Sequence, residues 1–303
     1  MATAYPRDEH SQTAWISRGF EVLAAHVAAN SAATHFDVLV IGSGYGGAIA
    51  AATFASAKQG TQPVRVGVLE RGKEYLPGSF PVGLRELPRH IRQKSNKEGL
   101  FDIRLSPEAS TVVANGLGGG SLINAGVMEK PRASVFAMGW PTALQNAAER
   151  DPYYAETRAL LGAFHDGQSN TIERQLPGLP LPQKTQELKA LAPGDFRFAE
   201  ITVAMTATAS SGNVALKQCT RCGDCATGCN FGAKNSLDVN LLVQAHESGA
   251  EIYSGATVLE LVKEPAGTWL VRCVHTNAKI RAREETVKGK VTEVRAAKVV
   301  LAA

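Results

Sequence analysis

Cysteine is scarce in this chain, which has only five in 303 residues, and these are not spread out in pairs. Four of them lie between Cys219 and Cys229, unlike the distributed pairs of disulfide-stapled secreted domains. A secretory signal is also missing from the start of the chain, where Asp8, Glu9 and Glu21 interrupt any apolar stretch and no small-residue cleavage site follows. A cytoplasmic location is therefore the default expectation.

Net charge is equally low, at +4 from 32 Lys and Arg against 28 Asp and Glu. The densest basic stretch, 263–298, mixes Glu among strand-forming residues, which is typical of a solvated face and not of a nucleic-acid interface. Residues 38–57 lack charge over the length of a membrane span, but glycines divide them into a short strand and a helix. With 44% hydrophobic residues, the chain can bury a substantial core, so we expect a globular protein without nucleic-acid partners or a membrane span.

A glycine motif follows the first strongly apolar run. This run, FDVLVI, is typical of a strand covered on both faces, and AIAAATFASA after the glycines is typical of a helix. Between them Gly42, Gly44 and Gly47 form G-x-G-x-x-G, which permits a tight turn, backbone approach to a pyrophosphate and close helix packing. Glu70 ends the second strand, VRVGVLE, where it can accept hydrogen bonds from ribose hydroxyls. The motif predicts a βαβ unit that binds a dinucleotide, without separating FAD from NAD.

A second glycine cluster separates the two cofactors. GLGGGSLINAGVM, residues 116–128, resembles the flavin-contacting loop of the glucose-methanol-choline (GMC) oxidoreductases, most closely that of their cholesterol oxidase-like branch. The stretches VLERGKEYLPGSFP, GAKNSLDVNLL and ATVLELV extend the resemblance over most of the chain, with residues 1–34 and 131–218 the weakest parts. The resemblance implies FAD as the cofactor. It also implies an FAD-dependent enzyme that transfers hydride from the CH–OH group of a hydrophobic or sterol-like alcohol.

The resemblance further implies a fold and a set of FAD contacts. The fold would be α/β, a Rossmann-like FAD-binding domain with a βαβ unit, additional antiparallel strands and an inserted, incomplete substrate domain. The FAD contacts would be Gly42, Gly44, Gly47, Glu70, Gly119, Ser121, Asn124 and Val258. The domains would be a helical extension (1–34), the FAD-binding domain (35–130 and 237–303), the insertion (131–218) and a Cys-rich loop (219–236). Within the last part of the FAD-binding domain we expect separate strands at 287–294 and in the terminal AAKVVLAA.

No catalytic residue is assigned. The family uses a C-terminal His, usually with an Asn or a second His, and none of the seven histidines here lies in such a motif. The family's VVLAA strand continues into a glycine that returns to the dinucleotide, whereas this chain stops one residue earlier. We therefore expect an N-terminal fragment, inactive by itself, with the catalytic residues beyond Ala303.

The clustered cysteines predict a metal site. Their C-x2-C-x2-C-x3-C spacing is that of bacterial ferredoxins, with Asn230 in place of the usual proline, and indicates a [4Fe-4S] cluster. The ligands would be Cys219, Cys222, Cys225 and Cys229, with Cys273 as an alternative to the last. Structural zinc, a disulfide and inert thiols stay open as alternatives. A cluster would pass electrons from flavin to an external acceptor. The alternatives to an alcohol-oxidising enzyme are a flavin and iron-sulfur electron carrier and a non-catalytic nucleotide-binding fragment with structural zinc.

Overall fold

The elements of the fold come from a computed structural model that describes residues 1–6, 14–29, 35–83, 85–165, 167–277 and 291–303. The strands are β1 (Thr3–Ala4), β2 (Arg18–Gly19), β3 (His35–Ile41), β4 (Lys58–Gln59), β5 (Gln62–Pro63), β6 (Val66–Leu69), β7 (Phe101–Arg104), β8 (Thr111–Ala114), β9 (Phe164–His165), β10 (Gln168–Ser169), β11 (Thr208–Ala209), β12 (Val214–Leu216), β13 (Glu251–Ser254), β14 (Ala256–Lys263), β15 (Trp269–His275) and β16 (Thr292–Leu301). The helices are α1 (Phe20–Ala29), α2 (Tyr45–Ala55), α3 (Leu87–His90), α4 (Ala133–Phe136), α5 (Thr142–Gln145), α6 (Ala147–Leu160), α7 (Ile172–Gln175), α8 (Gln183–Leu191) and α9 (Leu241–Glu247). Short 3-10 turns cover Gly119–Leu122, Asp224–Ala226 and Leu237–Val239.

A seven-stranded mixed sheet forms the centre of the molecule, in the order β14-β15-β16-β3-β6-β13-β2. The strands from β16 through β3, β6 and β13 to β2 run parallel, whereas β14, β15 and β16 form an antiparallel meander. This arrangement confirms the predicted α/β class with a βαβ unit and additional antiparallel strands.

The strand β16 joins these two parts of the sheet. Its first half pairs with β15, with Ala296 opposite Trp269, and its second half pairs with β3, with Leu301 opposite Ile41. The expectation of two separate strands here was wrong, because one strand from Thr292 to Leu301 provides both pairings. The residues 287–290 of the first predicted strand lie outside the described part of the chain.

The strand β3 is buried on both faces because alternate side chains enter two different cores. Val38 and Val40 lie in one core with side chains of α2 and α9. Phe36, Leu39 and Ile41 lie in the other, with side chains of α1 and of the meander. Such two-sided burial explains why the run reads as continuously apolar instead of alternating.

The N-terminal extension contributes strands as well as the predicted helix. Strand β1 pairs with β12, and β2 adds to the edge of the central sheet beside β13. Ile16 is buried but lies before the helix, because α1 begins only at Phe20. The carboxylate of Glu74 accepts hydrogen bonds from the backbone N–H groups of Trp15 (2.7 Å) and Ser17 (3.1 Å), which ties this segment to the core.

Helices dominate the stretch expected as an insertion. The helices α4 to α8 all lie between residues 133 and 191, whereas β11 and β12 pair with β1 in a small separate sheet. The predicted domain boundaries themselves stay a prediction. Among the residues described, no helix combines the length and the apolar character needed to cross a bilayer.

Candidate functional site

The first glycine loop, residues 42–47, connects β3 to α2 as the motif requires. A Cβ on Gly47 would lie 1.9 Å from the carbonyl oxygen of Gly42, so no side chain fits where the helix meets the turn. At Gly44, by contrast, a Cβ would have no neighbouring atom within 4 Å. Gly44 is the N-cap of α2, so this open space lies at the end of the helix dipole that attracts phosphate. The two glycines therefore meet different requirements, close packing at Gly47 and an accessible backbone at Gly44.

Glu70 is buried, and the protein itself uses most of its carboxylate. One oxygen accepts hydrogen bonds from the Ser43 hydroxyl (2.5 Å) and the Ser43 N–H (3.1 Å), and the other accepts one from the Gly72 N–H (2.7 Å). Burial raises the pKa of Glu70, and these hydrogen bonds oppose the rise. A carboxylate has about four acceptor sites, so roughly one remains for a ribose hydroxyl. Ser43, which the motif analysis did not single out, therefore fixes the acidic side chain in place.

The second glycine loop, residues 116–128, lies directly against the first. The Ser43 hydroxyl accepts a hydrogen bond from the N–H of Gly118 (3.1 Å), and a Cβ on Gly119 would lie 2.7 Å from the Cα of Gly44. The buried Ser121 hydroxyl donates to the Gly118 carbonyl (2.7 Å) and accepts from the Leu237 N–H (3.0 Å). The structure thus brings together four of the predicted contacts, Gly44, Glu70, Gly119 and Ser121, through Ser43.

The remaining predicted contacts lie at the two ends of this arrangement. Asn124 is half-buried, and its amide nitrogen donates to the Tyr45 hydroxyl (2.8 Å), which links the second glycine loop to the start of α2. Val258 is half-buried on β14, two residues after Ala256, whose N–H donates to the Glu70 carbonyl (2.9 Å). Asn124 is therefore linked to the start of α2, whereas Val258 follows the residue of β14 that bonds the Glu70 backbone.

The cysteine loop, residues 219–229, does not present a metal ligand set. Cys219, Cys225 and Cys229 are half-buried in one apolar cluster, whereas Cys222 is exposed. All four thiols are free, and in the described part of the chain no three His, Cys, Asp or Glu side chains are grouped as metal ligands. Burial raises the pKa of Cys219 and of Cys225. The predicted metal site is therefore not supported.

Cys273, the alternative fourth ligand, belongs to a different region. It is fully buried on β15, in the core that contains Phe36 and Leu39, and its thiol donates to the Thr292 carbonyl (3.4 Å). Burial raises its pKa to about 12. Cys273 is accordingly a packing residue of the central sheet.

Asn230 and Lys234 connect the end of the cysteine loop to residues 78–80 and to the second glycine loop, respectively. The Asn230 amide oxygen accepts from the N–H groups of Gly78 (2.9 Å) and Phe80 (3.0 Å), and its nitrogen donates to the Phe80 carbonyl (3.0 Å). Proline, the usual residue at this place in ferredoxins, would form none of these side-chain bonds. Lys234 is buried and donates to carbonyls of both the second glycine loop and the cysteine loop. The only sequence signal for Lys234 was a single cation within the otherwise uncharged run NFGAKNSL.

Three of the described histidine side chains have structural partners. His26 Nδ1 lies 3.4 Å from the Tyr253 hydroxyl, and His275 lies 3.2 Å from the Glu21 carboxylate. His90 packs against the ring of Tyr75. His10 and the side chain of His165 lie outside the described part of the chain. These contacts give no histidine a catalytic assignment.

Comparison with known families distinguishes between FAD and NAD as the cofactor expected at the two glycine loops. The family model of the GMC oxidoreductases matches residues 36–303. The chain belongs to the GMC oxidoreductase family. The N-terminal domain of this family is a Rossmann-like FAD-binding fold, which agrees with the central sheet and supports FAD over NAD as the cofactor.

The chain is also similar to curated cholesterol oxidases. The chain is 28% identical over 261 residues to a cholesterol oxidase of Mycobacterium tuberculosis (strain ATCC 25618 / H37Rv), covering 83% of this chain and 44% of that protein. It is 26% identical over 245 residues to a cholesterol oxidase of Acinetobacter baumannii, covering 75% of this chain and 41% of that one. The chain therefore spans less than half the length of these GMC relatives.

The chain is less similar to proteins of solved structure. Aklavinone-11 hydroxylase with FAD and aklavinone shares 14% identity at a TM-score of 0.28, covering 87% of this chain and 32% of that one. The halogenase PltM with phloroglucinol and FAD shares 15% identity at a TM-score of 0.30, covering 88% of this chain and 34% of that one.

Proposed function

We propose that the chain is the FAD-binding part of an oxidoreductase that transfers hydride from the CH–OH group of a hydrophobic or sterol-like alcohol to FAD. The observation that carries the proposal is the contact between the two glycine loops, where Gly119 meets Gly44 beside open space at the N-terminus of α2. A backbone cradle of this kind suits a dinucleotide diphosphate. The names of the two curated relatives support an alcohol of the sterol class.

Each part of the site would hold a different part of FAD. The N–H groups at the start of α2 and the bare backbone of Gly44 would bind the diphosphate. The remaining acceptor site of Glu70 would bind a ribose hydroxyl, with the backbone of Val258 at the adenine. Gly119, Ser121 and Asn124 would orient the flavin ring. FAD supplies the hydride acceptor when bound, and the role of these residues is to bind and orient it.

The catalytic base is not assigned to any residue of this chain. Because the chain spans less than half of its relatives, the alcohol, the electron acceptor and the activity of the whole protein are proposals.

The cofactor proposal is tested with a pair of glycine variants. Gly44→Val places a branched side chain in the proposed diphosphate space, whereas Gly194→Val adds the same side chain at an exposed glycine with no atom within 4 Å. We expect the native protein and Gly194→Val to be yellow and to release FAD on denaturation, and Gly44→Val to fold without FAD. Circular dichroism would confirm folding. Equal FAD contents in both variants would contradict the proposed site, and bound NAD instead of FAD would contradict the cofactor.

The substrate proposal is tested with FAD-loaded protein in a single-turnover experiment. Under anaerobic conditions a sterol is expected to reduce the bound flavin with a larger second-order rate constant than ethanol, because binding apolar surface contributes free energy that a short alcohol cannot supply. Bleaching of the flavin absorbance follows this half-reaction, which needs no electron acceptor because each flavin is reduced only once. Flavin that stays oxidised with every alcohol tested would favour the electron-carrier alternative over the enzyme.

As a second candidate function, we propose that the cysteine loop holds a [4Fe-4S] cluster that passes electrons to an external acceptor. The ferredoxin spacing supports it, as do two backbone N–H groups near the sulfurs. Arg221 N lies 3.3 Å from Cys219 Sγ, and Ala233 N lies 3.4 Å from Cys229 Sγ. N–H groups at cysteine sulfurs are common features of such clusters. The exposed Cys222 would have to join the other three thiols, so binding would require the loop to rearrange.

Metal analysis tests this candidate directly. Protein purified anaerobically would be assayed for iron and acid-labile sulfide, with low-temperature EPR after reduction. Cys222→Ala should abolish the signal, whereas Cys273→Ala, which alters a buried cysteine outside the loop, should retain it. Zinc without sulfide would indicate the structural-zinc alternative. Absence of iron, sulfide and zinc would leave four thiols without a metal.

A further inference from the structure

Lys234 forms three hydrogen bonds that join two loops distant in sequence. Its ammonium nitrogen lies 3.1 Å from the Leu122 carbonyl, 2.5 Å from the Asn124 carbonyl and 3.0 Å from the Cys225 carbonyl. An ammonium group has three N–H donors, so these carbonyls satisfy all of them. The first two carbonyls belong to the second glycine loop and the third to the cysteine loop.

Burying this ammonium group costs free energy, because it removes the charge from water. Lys234 is only 3% exposed, and burial lowers its pKa to about 8. A buried cation is tolerated where hydrogen bonds replace its hydration, which here is the task of the three carbonyls. A methionine would fill a similar volume but would leave the three carbonyls without their donor, so the contribution specific to lysine is the connection between the loops.

The connection reaches the groups that are expected to touch the flavin. On one side, Leu122 ends the 3-10 turn that contains Gly119 and Ser121. The side-chain amide of Asn124 donates to the hydroxyl of Tyr45 (2.8 Å), so a displaced Asn124 also disturbs the start of α2.

On the other side, Cys225 lies in the 3-10 turn Asp224–Ala226, between the exposed Cys222 and the half-buried Cys229. A bond to the Cys225 carbonyl therefore steadies the middle of the cysteine loop. The two loops share one cation, and neither can leave its place without breaking bonds to Lys234.

We propose that Lys234 is a positioning residue that couples the second glycine loop to the cysteine loop, so that FAD binding and the reactivity of the cysteine-loop thiols influence each other. FAD orders the second glycine loop, and Lys234 transmits that order to Cys225. Conversely, modifying the thiols is expected to weaken FAD binding, because the same hydrogen bonds of Lys234 connect the two loops. This inference rests on the proposed function for the identity of FAD as the ligand.

The test compares thiol alkylation with and without FAD. The purified protein, stripped of cofactor and then reloaded or not with FAD, is treated with iodoacetamide, and the modification of Cys222 and Cys225 is followed by peptide mass spectrometry. FAD is expected to slow alkylation of Cys225 about fivefold or more in the native protein, within the usual range of coupling between sites. In Lys234→Met the rates with and without FAD should be equal.

Two controls separate coupling from general destabilisation. Lys217→Met removes an exposed lysine two residues before Cys219 and should keep the FAD effect. A Lys234→Met protein that is merely less stable would show faster alkylation but an unchanged ratio between the two conditions. That unchanged ratio, or an absent FAD effect in the native protein, would overturn the coupling.

A measurement without any variant covers the case in which Lys234→Met does not fold. Alkylation of the native protein at Cys225 should speed the release of FAD, followed by the return of free-flavin fluorescence. Unchanged release after modification would overturn the inference. A native protein that binds no FAD at all in the initial titration would instead contradict the proposed function, so the two failures are distinguishable.

Discussion

The first glycine loop and the cysteine loop are both short loops marked by one repeated residue type, yet they differ in how they are built. In the first glycine loop, backbone meets backbone, and at Gly47 even a Cβ would lie 1.9 Å from a carbonyl oxygen. In the cysteine loop, three thiols are half-buried in an apolar cluster and the fourth is exposed.

A local motif determines some kinds of site better than others. A backbone cradle needs only the turn, the strand and the helix that surround it, and all of these are adjacent in the chain. A side-chain ligand set also needs every side chain to turn inward, which depends on the packing around the loop. The glycine spacing therefore predicted geometry that is present, whereas the cysteine spacing predicted a grouping that is not.

The largest expected effect is that of a methyl group at the third motif glycine. Gly47→Ala would drive its Cβ into the Gly42 carbonyl, so we expect a loss of about 3 kcal/mol or more in the free energy of unfolding, with FAD binding abolished. Gly46→Ala is the matched control, since its Cβ would meet the Ala302 Cβ at an ordinary 3.7 Å. Denaturant unfolding and flavin titration measure both quantities. Similar stabilities for the two variants would show that the first glycine loop tolerates a side chain at Gly47.

Glycine-to-alanine changes in the cysteine loop test whether its packing is as tight as that of the first glycine loop. At Gly228, φ is +111° and a Cβ would lie 2.0 Å from the ring of Phe80. We expect Gly228→Ala to cost about 2 to 3 kcal/mol of unfolding free energy, as overpacking and backbone strain do elsewhere. Gly223→Ala, also at positive φ but with open space around it, should cost only the strain of about 1 kcal/mol. An equal cost for both would mean that Phe80 moves aside.

The charge of Asp102 on β7 should make the free energy of unfolding depend on pH. Burial would raise the pKa of Asp102, but hydrogen bonds and charge from Arg104 and Arg71 lower it below its usual range. A lowered pKa stabilises the folded state above the unfolded-state value near 4, and this contribution is lost as the pH falls through the folded-state pKa. Asp102→Asn should cost about 2 kcal/mol at pH 7.

The pH profile is the control for this prediction. The difference in unfolding free energy between the native protein and Asp102→Asn should shrink as the pH falls below about 4. A difference in unfolding free energy that stays constant with pH would show that the charge of Asp102 does not contribute, and that the substitution acts through packing alone.

The smallest expected effect concerns the link between the two glycine loops. Ser43→Ala removes the hydroxyl that bonds Glu70 and the N–H of Gly118, and should cost about 1 kcal/mol of unfolding free energy. FAD affinity should fall with it, because both loops lose a shared partner. Ser56→Ala, which removes an exposed hydroxyl at the end of α2, is the matched control. Identical flavin titrations for the two variants would show that backbone contacts alone hold the loops together.

Much of the nucleotide-binding part was predictable because its determinants are local. The strand β3, the glycine turn, α2 and the position of Glu70 follow from apolar runs and glycine spacing within residues 36–70. The resemblance to the GMC family added the second glycine loop. The predicted contacts Gly44, Glu70, Gly119 and Ser121 lie together in the structure, whereas their binding to FAD stays a prediction.

The roles of Ser43, Asn230 and Lys234 were not predictable in the same way. Asn230 bonds backbone groups about 150 residues earlier in the chain, and Lys234 bonds carbonyls 110 and 112 residues earlier. No local pattern specifies such partners, because the fold alone brings these segments together. The same holds for β2, a two-residue strand whose pairing with β13 depends on the rest of the sheet.

The strand β3, its turn into α2 and the βαβ unit could be predicted from the residues, because apolar periodicity and glycine spacing act over a few residues. The family and the full α/β fold came from the resemblance of longer stretches to the GMC oxidoreductases. The folded structure was needed to show that Glu70 is largely used by Ser43 and Gly72, and that the four cysteines do not form a ligand group. It also decided that one buried ammonium joins the second glycine loop to the cysteine loop. The physical reason is that hydrogen bonds and side-chain burial depend on distances in space, which spacing along the chain specifies only for neighbours.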